Sequence, residues 1–203
     1  MTMTGKYKNE EGRETDINLV RVEMMCKMVK PGQKVLDIGS KWYPLKKHLP
    51  KDIEYHCLDI EPGENIVQCD LNHDKIPFED NYFDVVLMGE VIEHLANLDN
   101  ALSEISRVGK KLIGSTPNGI CLRRILREIF YGYKKSGHFP GHFITFTHHE
   151  LNSLLKNYYD NVNINTYFLV LKRINIYKGI FRFGGTLFFI CEKVMENELD
   201  ILD

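Results

Sequence analysis

The sequence predicts an α/β fold, a mostly parallel sheet with helices on both faces. Two observations predict it. Short apolar runs alternate with stretches of helical periodicity, and the residues able to do chemistry cluster just after those runs. Alternation of this kind implies parallel strands joined by crossovers, and ligands then bind at the carboxyl ends of the strands near the topological switch point.

Taken in order, residues 1–14 are polar and are expected to be mobile unless a ligand orders them. Thr15 or Asp16 can cap a helix running to about Lys30, with Ile17, Val20, Met24 and Met28 on one face, until Pro31-Gly32 breaks it. Lys34–Ile38 (KVLDI) reads as a buried strand, Glu54–Ile60 (EYHCLDI) as a second and Ile66–Cys69 as a shorter third. Phe83–Met88 (FDVVLM) is the clearest strand and follows an acidic turn at Glu79-Asp80-Asn81. Val91, Leu95, Leu98, Leu102, Ile105 and Val108 step by threes and fours, the mark of an amphipathic helix, with an interruption expected near Asn97–Asn100. Lys111–Ser115 is the next strand, and Pro117-Asn118-Gly119 the turn after it. Glu61–Asn65 and Lys75–Phe78 read as loops, so one crossover helix is expected to be missing. Val162–Leu171 and Thr186–Cys191 are the last strands, the final one antiparallel.

Composition narrows the function. The 203 residues suit one domain, and 43% apolar with 27% charged residues is ordinary for a globular protein. A net charge of −2 gives no electrostatic footprint for nucleic acid. The five cysteines are scattered, with no C-x-x-C pair, which favours reduced thiols and a cytoplasmic setting. The stretch MTMTGKYKNEEGRET has no apolar core, so no secretory signal is expected, and no apolar run approaches the roughly 20 residues of a membrane span.

Four motifs carry the chemistry. In V-L-D-I-G-S, Val35–Ser40, a strand ends at acidic Asp37 and Gly39 lets the chain turn sharply beside a ligand. Asp59 closes its strand 20 residues after Gly39, where a carboxylate can accept both hydroxyl hydrogens of a ribose. Cys69-Asp70-Leu71 follows the third strand, and Gly89-Glu90-Val91-Ile92-Glu93-His94-Leu95 follows the fourth.

These residues, with CDLNHDKIPFEDNYFDVVLMGEVIEHL and KLIGSTPNG, resemble the class I methyltransferase superfamily, especially its small members of ubiquinone and menaquinone biosynthesis. The resemblance covers residues 33–119, with a weaker echo in FTHHELNSLL. It implies a Rossmann-like methyltransferase fold, a seven-stranded sheet, one domain over residues 1–203 and S-adenosylmethionine as cofactor. It also implies site residues. Asp37, Gly39 and Ser40 line the methionine and ribose portion; Asp59, with Ile60 beside it, holds the ribose; Asp70 and the Leu71 backbone face adenine; Gly89 and Glu90 border the methionine end.

One departure stands out. The family's second loop glycine, and often a third, follow at two-residue steps, and here those positions hold Lys41 and Tyr43. The loop is therefore expected to be wider, with Lys41, Trp42 or Tyr43 facing the pocket. A dinucleotide G-x-G-x-x-G fingerprint is absent too, and Asp37 would repel a pyrophosphate, which argues against a nicotinamide dehydrogenase.

The remaining polar residues read more plainly. Asp84 is expected to be structural, and Glu93 to favour the following helix through its dipole. Residues 131–147 (YGYKKSGHFPGHFITFT) resemble a lid, from which His138 or His142 is expected to touch the acceptor as a base. The His138-x-x-x-His142 gap is permissible for a metal, but Pro-Gly intervenes and no cysteine is near, so no metal is expected. The expected activity is methyl transfer to a small molecule, oxygen acceptors slightly preferred. The alternative is a non-catalytic domain of the same fold serving as a binding or regulatory partner. Lys172, Arg173, Lys178 and Arg182 among aromatics and isoleucines give a membrane-surface contact as a minor option.

Overall fold

In the computed structural model the described residues are 4–8, 14–41, 44–121, 129–130, 143–167 and 185–194. Two strands, β1 (Thr4–Lys8) and β2 (Glu14–Asn18), pair antiparallel with Thr4 opposite Asn18. Helix α1 (Leu19–Cys26) follows at once. The helix expected from Thr15 or Asp16 thus begins later. Thr15 and Ile17 are β-branched and suit an extended backbone, whose hydrogen bonds are met by the partner strand. The expected mobile segment 1–14 accordingly contributes a strand. At its other end α1 tightens: the Met28 and Val29 amides bond Met25 and Cys26, three residues back, before Pro31-Gly32.

The central sheet is built from β3 (Lys34–Ile38), β4 (Glu54–Asp59), β5 (Ile66–Gln68), β6 (Val85–Gly89), β7 (Lys111–Pro117), β8 (Asn161–Tyr167) and β9 (Thr186–Glu192). Its seven strands lie in the order β5-β4-β3-β6-β7-β9-β8. The first five are parallel, and β9 runs antiparallel to both β7 and β8. The chain moves outward from β3 to β5, then returns to lay β6 on the other side of β3, so the switch point lies between β3 and β6. A central parallel strand is covered on both faces, which is why β6 reads as an unbroken apolar run with Val85–Met88 buried.

Side chains alternate between two cores. Leu36, Val86, Met88 and Leu112 pack on one face with α2 (Leu98–Val108) and α3 (His148–Leu155); Val35, Val85, Leu87 and Ile113 pack on the other with Val22 and Met25 of α1. The periodic stretch 91–108 is interrupted as its polar middle implies. A 3-10 turn spans Ile92–His94, and α2 starts after Asn97, whose side chain accepts the Asn100 amide. A capping box of Thr147 and Glu150 opens α3. Residues 60–65 and 69–84 contain no helix, in keeping with the expected missing crossover. Among the described residues, no helix is long and apolar enough to cross a membrane.

Candidate cofactor site at the switch point

At the carboxyl end of β3, Asp37 is buried and accepts the Leu45 amide at 2.9 Å and the Tyr55 hydroxyl. It therefore ties the loop after β3 to strand β4. Burial pushes its carboxyl up to about 7, against the two donated hydrogen bonds. Gly39 has φ +75° and donates its amide to the Leu58 carbonyl at 2.8 Å. A Cβ there would stand 2.5 Å from Val91 Cγ2, so glycine is needed for both the turn and the close approach. Ser40 is buried next to it, and its Oγ has no hydrogen-bond partner among the described residues.

At the end of β4, each Asp59 carboxylate oxygen accepts one backbone amide at 3.0 Å, Lys41 on Oδ2 and Glu61 on Oδ1. The Lys41 ammonium closes this ring with a 2.8 Å ion pair to Glu61. Ile60 is 58% exposed beside that carboxylate. After β5, Asp70 Oδ1 accepts the backbone and side-chain N–H groups of Asn72, and Leu71 buries its side chain in the core while its carbonyl accepts Asn100 Nδ2.

At the end of β6, Gly89 sits over α1; a Cβ there would lie 3.3 Å from Met25 Sδ. Glu90 has φ +59°, pairs with Arg21 at 2.8 Å and accepts the Ser115 hydroxyl at 3.3 Å. Glu93 departs from the expected helix-dipole role, because α2 already has its cap in Asn97. Its side chain turns inward instead, 1% exposed, and Oε2 accepts the Thr116 hydroxyl at 2.9 Å while Oε1 has no partner among the described residues. Burial raises its carboxyl, against hydrogen bonding by its own amide and by Thr116 and the charges of His94 and Arg21. Asp84 is structural, as expected, accepting the Lys34 amide and the Lys110 ammonium.

The sequence reading thus placed Asp37, Gly39, Ser40, Asp59, Ile60, Asp70, Leu71, Gly89 and Glu90 along adjacent carboxyl strand ends, and the topology brings them there. Arg21, Tyr55 and Thr116 were not singled out, since their contacts cross between elements distant in sequence. His138 and His142 lie outside the described residues, as does most of the expected lid. Its described end reaches the site: the Phe143 and Ile144 amides bond the Glu93 carbonyl at 2.9 and 3.3 Å. A groove of about 830 Å³ lined by Ile76, Phe78, Tyr82 and Arg107 lies on the amino side of β6, away from these strand ends.

The family model described as a methyltransferase domain matches residues 34–112, the stretch from β3 into β7 that carries the strand-end positions from Asp37 to Glu93. Over those residues, under half of its length, this chain is similar to the methyltransferase domains of the class I S-adenosylmethionine-dependent superfamily. It is similar to the ubiquinone/menaquinone biosynthesis C-methyltransferase UbiE of Burkholderia mallei, 33% identical over 40% of this chain and 41% of that protein. It is also similar to the bifunctional methionine biosynthesis protein MetXA/MetW of Rhodopirellula baltica, 28% identical over 64% of this chain and 24% of that one. The chain therefore spans well under half the length of these curated relatives. Among solved structures, a methyltransferase of Thermotoga maritima described as a possible histamine N-methyltransferase aligns with TM-score 0.65 and 16% identity, covering 86% of this chain and 89% of that one. A methyltransferase of Archaeoglobus fulgidus aligns with TM-score 0.60 and 20% identity, covering 86% and 93%. These likenesses show the same fold. S-adenosylmethionine is the superfamily's cofactor.

Proposed function

We propose that this methyltransferase-fold chain transfers the methyl group of S-adenosylmethionine to a small-molecule acceptor, with oxygen the favoured nucleophile. The observation that carries the reading is the ring around Asp59. Each carboxylate oxygen is held by one amide and keeps lone-pair capacity for a ribose hydroxyl.

The other strand ends support the fit. Ser40 Oγ is buried and unpartnered, so a ligand hydrogen bond is worth more there than on a solvated surface. Ile60 offers an apolar surface beside the ribose position, suited to an adenine face. Asp70 accepts the Asn72 donors on Oδ1 alone, which leaves its second oxygen as an acceptor for an adenine amino group. Arg21 and Glu90 supply charges of both signs for the methionine ammonium and carboxylate.

The bound cofactor supplies an activated methyl group on a sulfonium. The protein's work is then to align a nucleophile, exclude water and receive a proton where the nucleophile carries one. Calorimetric titration of S-adenosylmethionine and S-adenosylhomocysteine, with Asp59→Ala as control, tests the reading. Saturable binding weakened at least about tenfold by the substitution is expected, the loss of about 1.4 kcal/mol. Absence of binding to folded protein would favour a second reading, a non-catalytic binding or regulatory domain. Lys41 and Tyr43, at the family's glycine positions, are the observation on its side.

A further inference from the structure

We propose that Glu93 is the acceptor-side base of this site, and that the acceptor is a neutral hydroxyl or amine rather than a carboxylate. The proposal rests on the methyl-transfer reading above. Four observations lead to it. Glu93 is 1% exposed, yet Oε1 has no partner among the described residues; a buried carboxyl oxygen in that state is costly, and a ligand that donates a hydrogen relieves the cost. Its other oxygen is fixed by Thr116 at 2.9 Å, so the carboxylate is oriented before any ligand arrives. Glu93 follows Gly89-Glu90, at the strand end assigned to the methionine portion, in the next turn of chain. Its own carbonyl anchors residues 143 and 144, the described end of the segment expected to wall the acceptor.

Charge sets the acceptor class. The groups that act on the Glu93 carboxyl are Thr116 from β7, its neighbour His94 and Arg21 from α1, which is ion-paired to Glu90. The two glutamates share the charge of Arg21, and that cation is already bonded to Glu90. A carboxylate acceptor would add a further negative charge in a buried place. A hydroxyl or amine instead donates its hydrogen to Glu93 Oε1. In the step, Glu93 takes the acceptor's proton as the acceptor atom bonds the methyl carbon; the carbon–sulfur bond breaks and its electron pair stays on sulfur. Glu93 then returns the proton to solvent as product leaves.

The test uses the full chain with S-adenosylhomocysteine bound, and phenol, aniline and benzoate as probes followed by saturation-transfer NMR. For Glu93→Gln, we expect S-adenosylhomocysteine affinity and thermal unfolding unchanged, but binding of phenol or aniline weakened about tenfold or more. Which of the two depends on Glu93 tells oxygen from nitrogen acceptors. Thr116→Val removes the hydrogen bond that lowers the Glu93 carboxyl and leaves Oε1 in place, so the pH midpoint of probe binding should move upward. Benzoate bound as well as the neutral probes, no probe dependent on Glu93, or an unmoved midpoint in Thr116→Val would overturn the proposal. Loss of S-adenosylhomocysteine binding by the wild-type chain would instead overturn the methyl-transfer reading on which it rests.

Discussion

Lys41 Nζ lies 2.8 Å from Glu61 Oε2, and the backbone amides of the same two residues hold the two carboxylate oxygens of Asp59. A residue at a family glycine position thus becomes a strap across the proposed ribose site. The amide contact needs no side chain, whereas the ion pair does. Lys41 is 15% exposed and Glu61 48%, so solvent screens the pair and it contributes up to about 1 kcal/mol. Lys41→Ala and Glu61→Gln should each weaken S-adenosylmethionine binding by up to about fivefold. Calorimetry at low and high salt should show the wild-type affinity falling with salt and the variants responding less. Equal salt responses in all three proteins would separate the strap from cofactor binding.

Gly39 answers to two constraints at once, which two substitutions can separate. Its left-handed φ of +75° costs a residue with a Cβ roughly 1–2 kcal/mol. The added atom would also meet Val91 Cγ2 at 2.5 Å. Gly39→Ala should therefore lower the unfolding free energy by more than the backbone cost alone, and Val91→Ala in the same chain should restore only the steric part. Urea unfolding of the single and double variants measures both contributions. Full recovery in the double variant would mean that the backbone conformation carries no cost.

The central strands β3, β6 and β7 were legible because each is buried on both faces and must be a short apolar run bounded by polar residues. Lys34–Ile38 matches to the residue, and the Asn97 break in the periodic stretch 91–108 follows from its polar middle. The start of α1 was not legible, because Thr15 and Ile17 suit a strand whose partner, Thr4–Lys8, lies ten or so residues earlier in a polar stretch. Glu93 was misread for a related reason. A glutamate before a helix suits the helix dipole, and only the fold brings Thr116 against it from another strand.

Asp37 makes stability depend on pH. Its carboxyl is raised to about 7 in the folded protein, from an ordinary value of 3.8. Between those values the folded chain binds a proton that the unfolded chain has released, so this group's contribution is fully present below the unfolded value and is lost as pH rises through the folded one. Asp37→Asn is neutral throughout. The stability of wild type relative to Asp37→Asn should therefore fall by on the order of 4 kcal/mol from acid to neutral pH and then level off. Urea unfolding of both proteins across that range checks it. A difference that stays flat, or that rises with pH, would show that the Tyr55 and Leu45 hydrogen bonds outweigh burial.

Arg107 gathers the loop before β6 onto α2. Its guanidinium donates to the carbonyls of Ile76 and Phe78 at 2.8 Å, to Asp80 at 2.8 Å and to both oxygens of Glu104 at 2.9 and 2.6 Å. Glu104 in turn accepts the Ile76 amide at 2.9 Å, so one planar fork organises a turn of chain that has no regular hydrogen-bonding of its own. Arg107→Ala leaves a mostly buried carboxylate and two carbonyls without these donors, and should cost about 3 kcal/mol of stability. Arg107→Lys should recover only a minor part, because an ammonium keeps the charge but cannot reproduce the fork. Both variants act on the amino side of β6, away from Asp59 and Glu90, so their affinity for S-adenosylmethionine should match wild type wherever the fold is intact. Chemical unfolding read beside calorimetry separates the two quantities. A drop in affinity at full folding would reveal that this loop reaches the cofactor through the Asp70–Asn72 segment, which Asn100 of the same helix holds by the Leu71 carbonyl.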